Sequence, residues 1–308
     1  MEQFAYFLAS VVRMATPLLI AGLGLMVAER AGILNIGADG IMLTGAFAAY
    51  TATYYLGSYW YGMFASMATG ILVTALFAVA AIRFKAQQAV LGAALNILCA
   101  GMTNVLFRML FYNSNNLAGV VVESFPILPI PLLNKIPLLG KVFFQHSFIV
   151  YLGILMTFAI WILMRKTSIG IKIIAVGEHP KAADSLGINV IMTRYICTLF
   201  SGLMIGLSGA YLSIAQSNSF GIDMTVGKGF IALAVVILGK WHPMGVLAGS
   251  VLFGAANAVQ MSVQNMGGDF PANLIMMLPY VITVVAVLSV SKNKVLSPSA
   301  KGIPYEKS

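Results

Sequence analysis

An all-α polytopic membrane protein is what three features of this sequence demand. Of its 308 residues, 60% are hydrophobic and 9% charged, and the mean hydropathy is +0.92. That is more apolar surface than a water-soluble fold could hide in one core. The apolar residues gather into about nine stretches (about eight to ten, depending on where boundaries fall), most of them near the ~20 residues that span a bilayer as a helix. The net charge of +9 comes from basic residues between these stretches and in the tail. The positive-inside rule puts them there, so no nucleic-acid partner is needed to explain the charge.

The stretches run from Phe4 to Ala28, Gly32 to Tyr50, Tyr59 to Ile82, Ala89 to Tyr112, Ser147 to Leu163, Ile191 to Ala215, Val226 to Gly239, Val246 to Val263 and Ala272 to Val290. The first begins in MEQFAYF, which has an acid and no basic leader, so no cleavable signal peptide is expected and the N-terminus is expected outside. Arg83 with Lys85, the run from Arg165 to Lys172, and the tail lysines Lys292, Lys294 and Lys301 mark three cytoplasmic regions, against Lys135 and Lys141 outside. A multi-pass protein with a cytoplasmic C-terminus follows. Cys99 and Cys197 sit far apart within apolar stretches, which indicates neither a disulfide framework nor a metal site.

The second stretch is the unusual one. AGILNIGADGIMLTGAFAAY, from Ala31, carries Asn35, Asp39 and several glycines among membrane-forming residues. An acid at bilayer depth costs about 2.5 to 3.5 kcal/mol, so Asp39 needs a polar partner, an aqueous cavity or a short route to the interface. Two readings fit: a broken helix beside a pathway, or a Gly-rich packing face with Asp39 reaching for the cytoplasmic edge.

The single chain-long domain divides into a first repeat (about 1–112), an external connection (113–145), a fifth helix with a cytoplasmic coupling region (146–190), a second repeat (about 191–290) and a tail (291–308). Pro126, Pro129, Pro131 and Pro137, with Asn115 and Asn116, keep the external connection from forming one helix. Laying Asn35-Ile36-Gly37 over Thr225-Val226-Gly227 suggests a pair of inverted repeats with broken or re-entrant helices, a transporter signature.

In the cytoplasmic loop, Pro180 suits a first helical turn, Ala182, Ala183 and Leu186 continue it and Gly187 suits its stop, so a short surface helix from about His179 to Leu186 is expected. A helix that short needs a surface to pack on, such as a groove in a partner protein. No phosphate-binding GxxxxGK[ST] occurs, so any ATP-driven step belongs to another chain. Among polar residues within spans, Asn35, Asp39, Asn96, Thr103, Asn104, Asn257 and Gln260 are the candidates for contact with a passing solute, and each is equally suited to joining helices. Gln216, Ser217, Asn218 and Asp223 are candidates for an outer gate or for contact with an external binding protein, and a solvated loop explains them equally well. Nothing assembles a nucleophile, a base and an orienting group, which argues against an intramembrane enzyme, and one deep acid is thin support for an ion-coupled secondary transporter.

Four stretches carry a family resemblance: ILNIGADGIMLTGAF from Ile33, VLGAALNILCAGMT from Val90, AVGEHPKAADSLGINV from Ala175 and GKGFIALAVVILGKWHPMGVLAGSVLFG from Gly227. In this order they resemble the permease subunits of ABC importers in the branched-chain amino acid, ribose and nucleoside group, most closely the shorter permease of the nucleoside type. The resemblance implies a plasma-membrane (inner-membrane) permease paired with a second, non-identical permease. It also implies cytoplasmic ATPases that hold ATP and Mg, none of it bound by this chain, and an external substrate-binding protein or lipoprotein. It gives Gly177, Glu178, Pro180, Ala182, Ala183 and Gly187 the role of contacting the ATPase. The implied solute is a nucleoside or related small polar molecule, with riboflavin-like compounds, simple sugars and amino acids as alternatives.

Overall fold

The computed structural model describes residues 2–111, 121–129, 144–265 and 297–306, with single positions at 140, 142, 277, 281, 282 and 284. Among the described residues six helices are long and apolar enough to cross a membrane. They are α1 (Glu2–Arg30), α3 (Tyr59–Ala78), α4 (Gln88–Phe111), α5 (Phe148–Lys166), α8 (Val190–Ala210) and α10 (Pro243–Asn265). Between them lie α2 (Ala38–Leu56), α6 (Ser168–Glu178), the six-residue α7 (Pro180–Ser185) and α9 (Lys228–Leu238). Most predicted stretches recur to within about three residues. The second does not, because its first residues are non-helical and the helix begins at Ala38. Of the ninth stretch only isolated positions are described; most of it lies outside the described residues, as do Lys135, Lys141, Lys292, Lys294, Asn115, Asn116, Pro131 and Pro137.

Among the described residues the one departure from helix and loop is a short antiparallel ribbon between α4 and α5, where β1 (Ile127–Pro129) pairs with β2 (Gln145–Ser147) in the register Leu128 opposite His146. Helix α6 was also not expected. Its signal is Thr167, an N-cap whose hydroxyl accepts from the Gly170 amide at 3.2 Å.

α1 and α8 form the centre. The apolar window of α1 is 83% buried, against 28% for α4, so α1 is a core helix and α4 faces outward with Ile97, Leu98, Val105 and Met109 exposed. α8 packs on α1, α2 and α3, while α1 packs on α8, α9 and α10. Lipid tails are as apolar as leucine, so close backbone approach and not water exclusion must hold these helices together. Gly202, Gly206 and Gly209 on α8 supply it. A side chain on Gly206 would strike the Ser66 carbonyl of α3, and one on Gly209 would strike the Met42 carbonyl of α2.

Proline inside α1 shows how membrane backbone groups are kept paired. Pro17 has no N–H, which frees the Arg13 carbonyl four residues earlier. The Tyr211 hydroxyl, on the π-helical turn that closes α8, donates to that carbonyl at 3.1 Å. Ser208 donates to the Pro17 carbonyl at 2.8 Å. Tyr211→Phe should therefore cost about 1 to 3 kcal/mol by stranding a buried carbonyl, read as a lower thermal unfolding temperature in detergent.

The two ends of the molecule differ. Arg30, Lys85, Arg165 and Lys301 gather at one, beside Trp241, Glu306, His242 and Glu29 respectively, and it is called here the basic end. At the other, Phe47 and Tyr50 of α2, Phe107 and Phe111 of α4 and Phe220 make ring contacts with centroids 5.1 to 6.4 Å apart. The Val122 amide, between α4 and β1, donates to the Asn218 carbonyl at 3.0 Å beside them.

Candidate functional site

Two places carry polar groups that a simple helical bundle would not need. The first is the junction where α2 and α9 begin. Residues 31–37 leave the helical path after Arg30, with Gly32 at φ 91°, and their backbone must find partners other than a helical ladder. The Ala31, Gly32 and Ile33 amides still bond back to carbonyls in the last turn of α1, and side chains provide the partners beyond them. Gln88 accepts from the Leu34 amide at 2.7 Å, Asn35 accepts from the Gly37 amide at 3.0 Å, and Asn96 donates to the Ile36 carbonyl at 3.0 Å.

Both helices borrow their N-terminal caps. The residue before α2 is Gly37, which has no side chain to cap with, and Asn96 of α4 accepts from the Gly40 amide at 2.8 Å instead. The residue before α9 is Gly227, at φ 75°, and here the cap is Asp39. Its Oδ1 accepts from the Gly229 amide at 2.9 Å and its Oδ2 from the Thr225 hydroxyl at 3.1 Å. A carboxylate is well placed at a helix N-terminus, whose free amides carry partial positive charge. Gly229 is obligatory, because a Cβ there would collide with the Asp39 backbone.

Depth follows from helix length. α9 has eleven residues, about 16 Å at 1.5 Å per residue. It ends at a turn in which Lys240 and Trp241 both adopt positive φ. Trp241 donates to Glu29 at 2.5 Å and accepts from Arg30 at 3.0 Å, both at the basic end of α1. The Asp39 junction thus lies about half of the ~30 Å hydrocarbon thickness in from that end. The chain reaches it from the other side by a descending loop, since Phe220 packs on Phe47 and Thr225 bonds Asp39.

The sequence-derived solute candidates fall into separate places. Asn35, Asp39 and Asn96 come together at the junction, bonded to backbone. Thr103 turns its hydroxyl onto the Cys99 carbonyl at 2.8 Å and lines an apolar cleft of about 370 Å³ with Phe47, Thr51 and Tyr55. Asn104 accepts from Arg108 at 3.0 Å. Asn257 and Gln260 lie on α10, which packs on α1, α9 and α5, away from the junction. Of the gate candidates, Gln216 donates to the Met14 sulfur at 3.2 Å and Asp223 is exposed at a positive-φ turn. Gln88, Thr225 and Gly229 were not foreseen as site residues; Gln88 carries no signal beyond being polar, whereas Thr225 is marked by its place opposite Asn35 in the repeat.

The second place is the segment around α7 at the basic end. α7 forms where expected, with Pro180 at its first turn and Gly187, at φ 80°, closing it through an amide bond to the Asp184 carbonyl at 2.9 Å. One side is anchored: Ala183, 2% exposed, packs on Val176 and Val190. The other is bare, with Lys181, Ala182, Ser185 and Gly187 exposed and Leu186 81% exposed. Of the six expected contact residues, Ala182 and Gly187 face out, Glu178 and Pro180 are half-buried, and Gly177 and Ala183 point in. Beside α7 lies a groove of about 700 Å³ between Asp184, Asn189, Met192, Tyr195 and Tyr305. Nearby at the same end, burial and then the charges of Arg165 and Arg30 push the His242 imidazole below its ordinary pKa.

Comparison with known proteins gives these two places a context. The chain matches the family described as branched-chain amino acid transport system, permease component, over residues 7–287. It is 36% identical over 302 residues to the guanosine ABC transporter permease protein NupQ of Bacillus subtilis (strain 168), covering 95% of this chain and 94% of that one. It is 35% identical over 309 residues to the nucleoside ABC transporter permease protein NupC of Lactococcus lactis subsp. cremoris (strain MG1363), covering 97% and 96%. A solved structure described as an inward-facing, metal-chelate type ABC transporter shares the fold with a TM-score of 0.52 at 15% identity, over 92% of this chain and 85% of that one. Similarity that spans nearly the whole chain, on a bundle of spanning helices, makes this polypeptide a member of the branched-chain amino acid transport system permease family, a membrane transport subunit and not an enzyme.

Proposed function

We propose that this chain forms half of the translocation pathway of an ATP-driven ABC importer for a nucleoside or related small polar solute. The observation that carries the reading is α7: a short helix pinned by Ala183 on one face and bare on the other, with a groove alongside. An isolated six-residue helix gains nothing from remaining exposed unless a partner covers it. That partner is a cytoplasmic ATPase, which supplies ATP and Mg chemistry that this chain lacks. A second, non-identical permease completes the pathway, and an external binding protein or lipoprotein delivers the solute. The two nucleoside-type relatives support the choice of solute.

Alternating access about a pair of inverted repeats is the motion we assign to it. In support, Asp39 and Gly229 are 190 residues apart, the same offset that lays Asn35 on Thr225, so equivalent positions of the two halves touch. The packing also corresponds under that offset: α3 rests on α8 as α10 rests on α1, and α2 on α8 as α9 on α1. With the ninth stretch this gives nine segments. Arg30, Lys85, Arg165 and the tail share one end of the molecule, which supports a cytoplasmic C-terminus. An ion-coupled alternative would need the Asp39 carboxylate open to a passing ion, and both its oxygens are already bonded, to α9 and to Thr225.

The test uses the complete importer reconstituted in vesicles. Ala182→Arg places a large cation on the bare face of α7, and nucleoside uptake should fall roughly tenfold or more, about 1.4 kcal/mol of coupling, with membrane abundance unchanged. Normal uptake would sink the assignment. Competition of labelled uptake by guanosine, riboflavin, ribose and leucine discriminates the solute classes.

A further inference from the structure

Residues 299–302 of the tail lie across the basic end and bond to elements on both sides. Toward the coupling region, the Ser299 hydroxyl donates to Glu178 at 2.9 Å and the Ala300 amide to the Gly177 carbonyl at 2.9 Å. Toward the broken helix, the Gly302 amide donates to the Gly32 carbonyl at 3.0 Å. Between them Lys301 pairs with Glu29 at 2.9 Å, the carboxylate being 1% exposed. Beyond them the Ile303 carbonyl accepts from Arg194 of α8 at 2.9 Å, and Glu306 pairs with Lys85 at 2.7 Å.

We propose that this tail is a positioning strap that transmits movement of α7 to residues 31–37, and so to the Asp39 junction where α2 and α9 begin. The inference rests on the importer reading, which supplies the motor at α7. A direct contact already exists, because Gly177 packs so tightly on Arg30 and Gly32 that no Cβ fits between them. Steric contact of that kind transmits a push and not a pull. The hydrogen bonds and the ion pair of the tail resist separation, and they add the pull. Residues 31–33 are bonded back to the last turn of α1 and move with it, while residues 34–37 beyond them are held by the side chains of Gln88, Asn35 and Asn96 and can shift without unwinding a helix. The strap is itself tied at its far end: hydrogen bonding to Lys85, and then the lysine's charge, hold the Glu306 carboxyl below its ordinary pKa.

Two variants of the complete importer test this, with three readouts: co-purification of the ATPase, its ATP hydrolysis, and solute taken up per ATP hydrolysed. The first variant ends the chain after Pro298. The second, Gly302→Pro, keeps the length and the charges but removes the amide that bonds Gly32 and forbids the φ of 74°. In both, the ATPase should stay bound and hydrolyse ATP while uptake per ATP falls roughly tenfold. Uptake per ATP within about twofold of the parent in Gly302→Pro would overturn the proposal, on the scale of typical site-to-site coupling. So would loss of the ATPase from either variant, which would make the tail a docking surface. Ala182→Arg separates the two ideas: normal uptake there removes the importer reading whatever the tail variants do.

Discussion

Asp39→Ala should abolish uptake and lower the stability of the folded chain by about 2 to 3 kcal/mol. The carboxylate closes the first turn of α9 through the Gly229 amide and holds Thr225 in place. A hydrogen bond to a charged group contributes about 1.5 to 3 kcal/mol net, and loss of a helix cap about 0.5 to 2 kcal/mol. These overlap in one residue and do not add in full. Asp39→Asn keeps an acceptor for Gly229 while presenting an NH2 to Thr225, whose hydroxyl can turn to accept from it. It should therefore recover most of the stability and only part of the transport, because the neighbouring Lys228 ammonium loses its counter-charge. Thermal unfolding in detergent and uptake in vesicles, measured on the same preparations, give the comparison. An Asp39→Ala variant with parental melting and uptake would show that the junction does not depend on this cap.

Gly206→Leu should prevent folding altogether. Overpacking in a core usually costs about 1 to 3 kcal/mol because side chains can turn aside. At Gly206 the obstruction is the backbone of Ser66 and Gly70 on α3, and α2 also lies close, since a Cβ on its Gly45 would meet the Gly206 backbone at 2.8 Å. Moving α8 away from α3 and α2 would open the contacts that stand in for the hydrophobic effect within the bilayer. The expected result is a chain that inserts, fails to give a monodisperse peak in detergent and is degraded in the cell. Gly206→Ala should be intermediate, and a fully stable Gly206→Leu would contradict the close packing described for α8.

The sequence was most informative where one chemical constraint dominated. Spanning helices were legible because bilayer thickness sets their length, and α7 because Pro180 and Gly187 each have a strong positional preference. The break before α2 was legible in kind, from Gly32 and Asp39, but not in position: the polar residues read as groups waiting for a solute are those that pair the broken backbone. Asn96 and Asp39 look alike in the sequence whether they face a pathway or a backbone group, since what separates the two uses is a partner more than fifty residues away, whereas Asn35 turns onto the Gly37 amide only two residues on. Ala182 and Ala183 illustrate the same limit. Adjacent in sequence and identical in chemistry, they differ because Val176 and Val190 lie under the second alone. The tail was invisible for a further reason: three of its ties, at Ala300, Gly302 and Ile303, run through main-chain atoms that every residue possesses.

The ring cluster of Phe47, Tyr50, Phe107, Phe111 and Phe220 and the charged ties of the opposite end respond to different surroundings. Apolar rings in tilted and edge-on contact are indifferent to dissolved ions, whereas the exposed Lys85–Glu306 pair weakens as ions crowd it, over a screening distance of about 8 Å at physiological strength. Concentrated salt should therefore loosen the molecule from one side only, leaving a rigid cap over a relaxed base. Hydrogen exchange followed along an ionic gradient would see that lopsided softening directly.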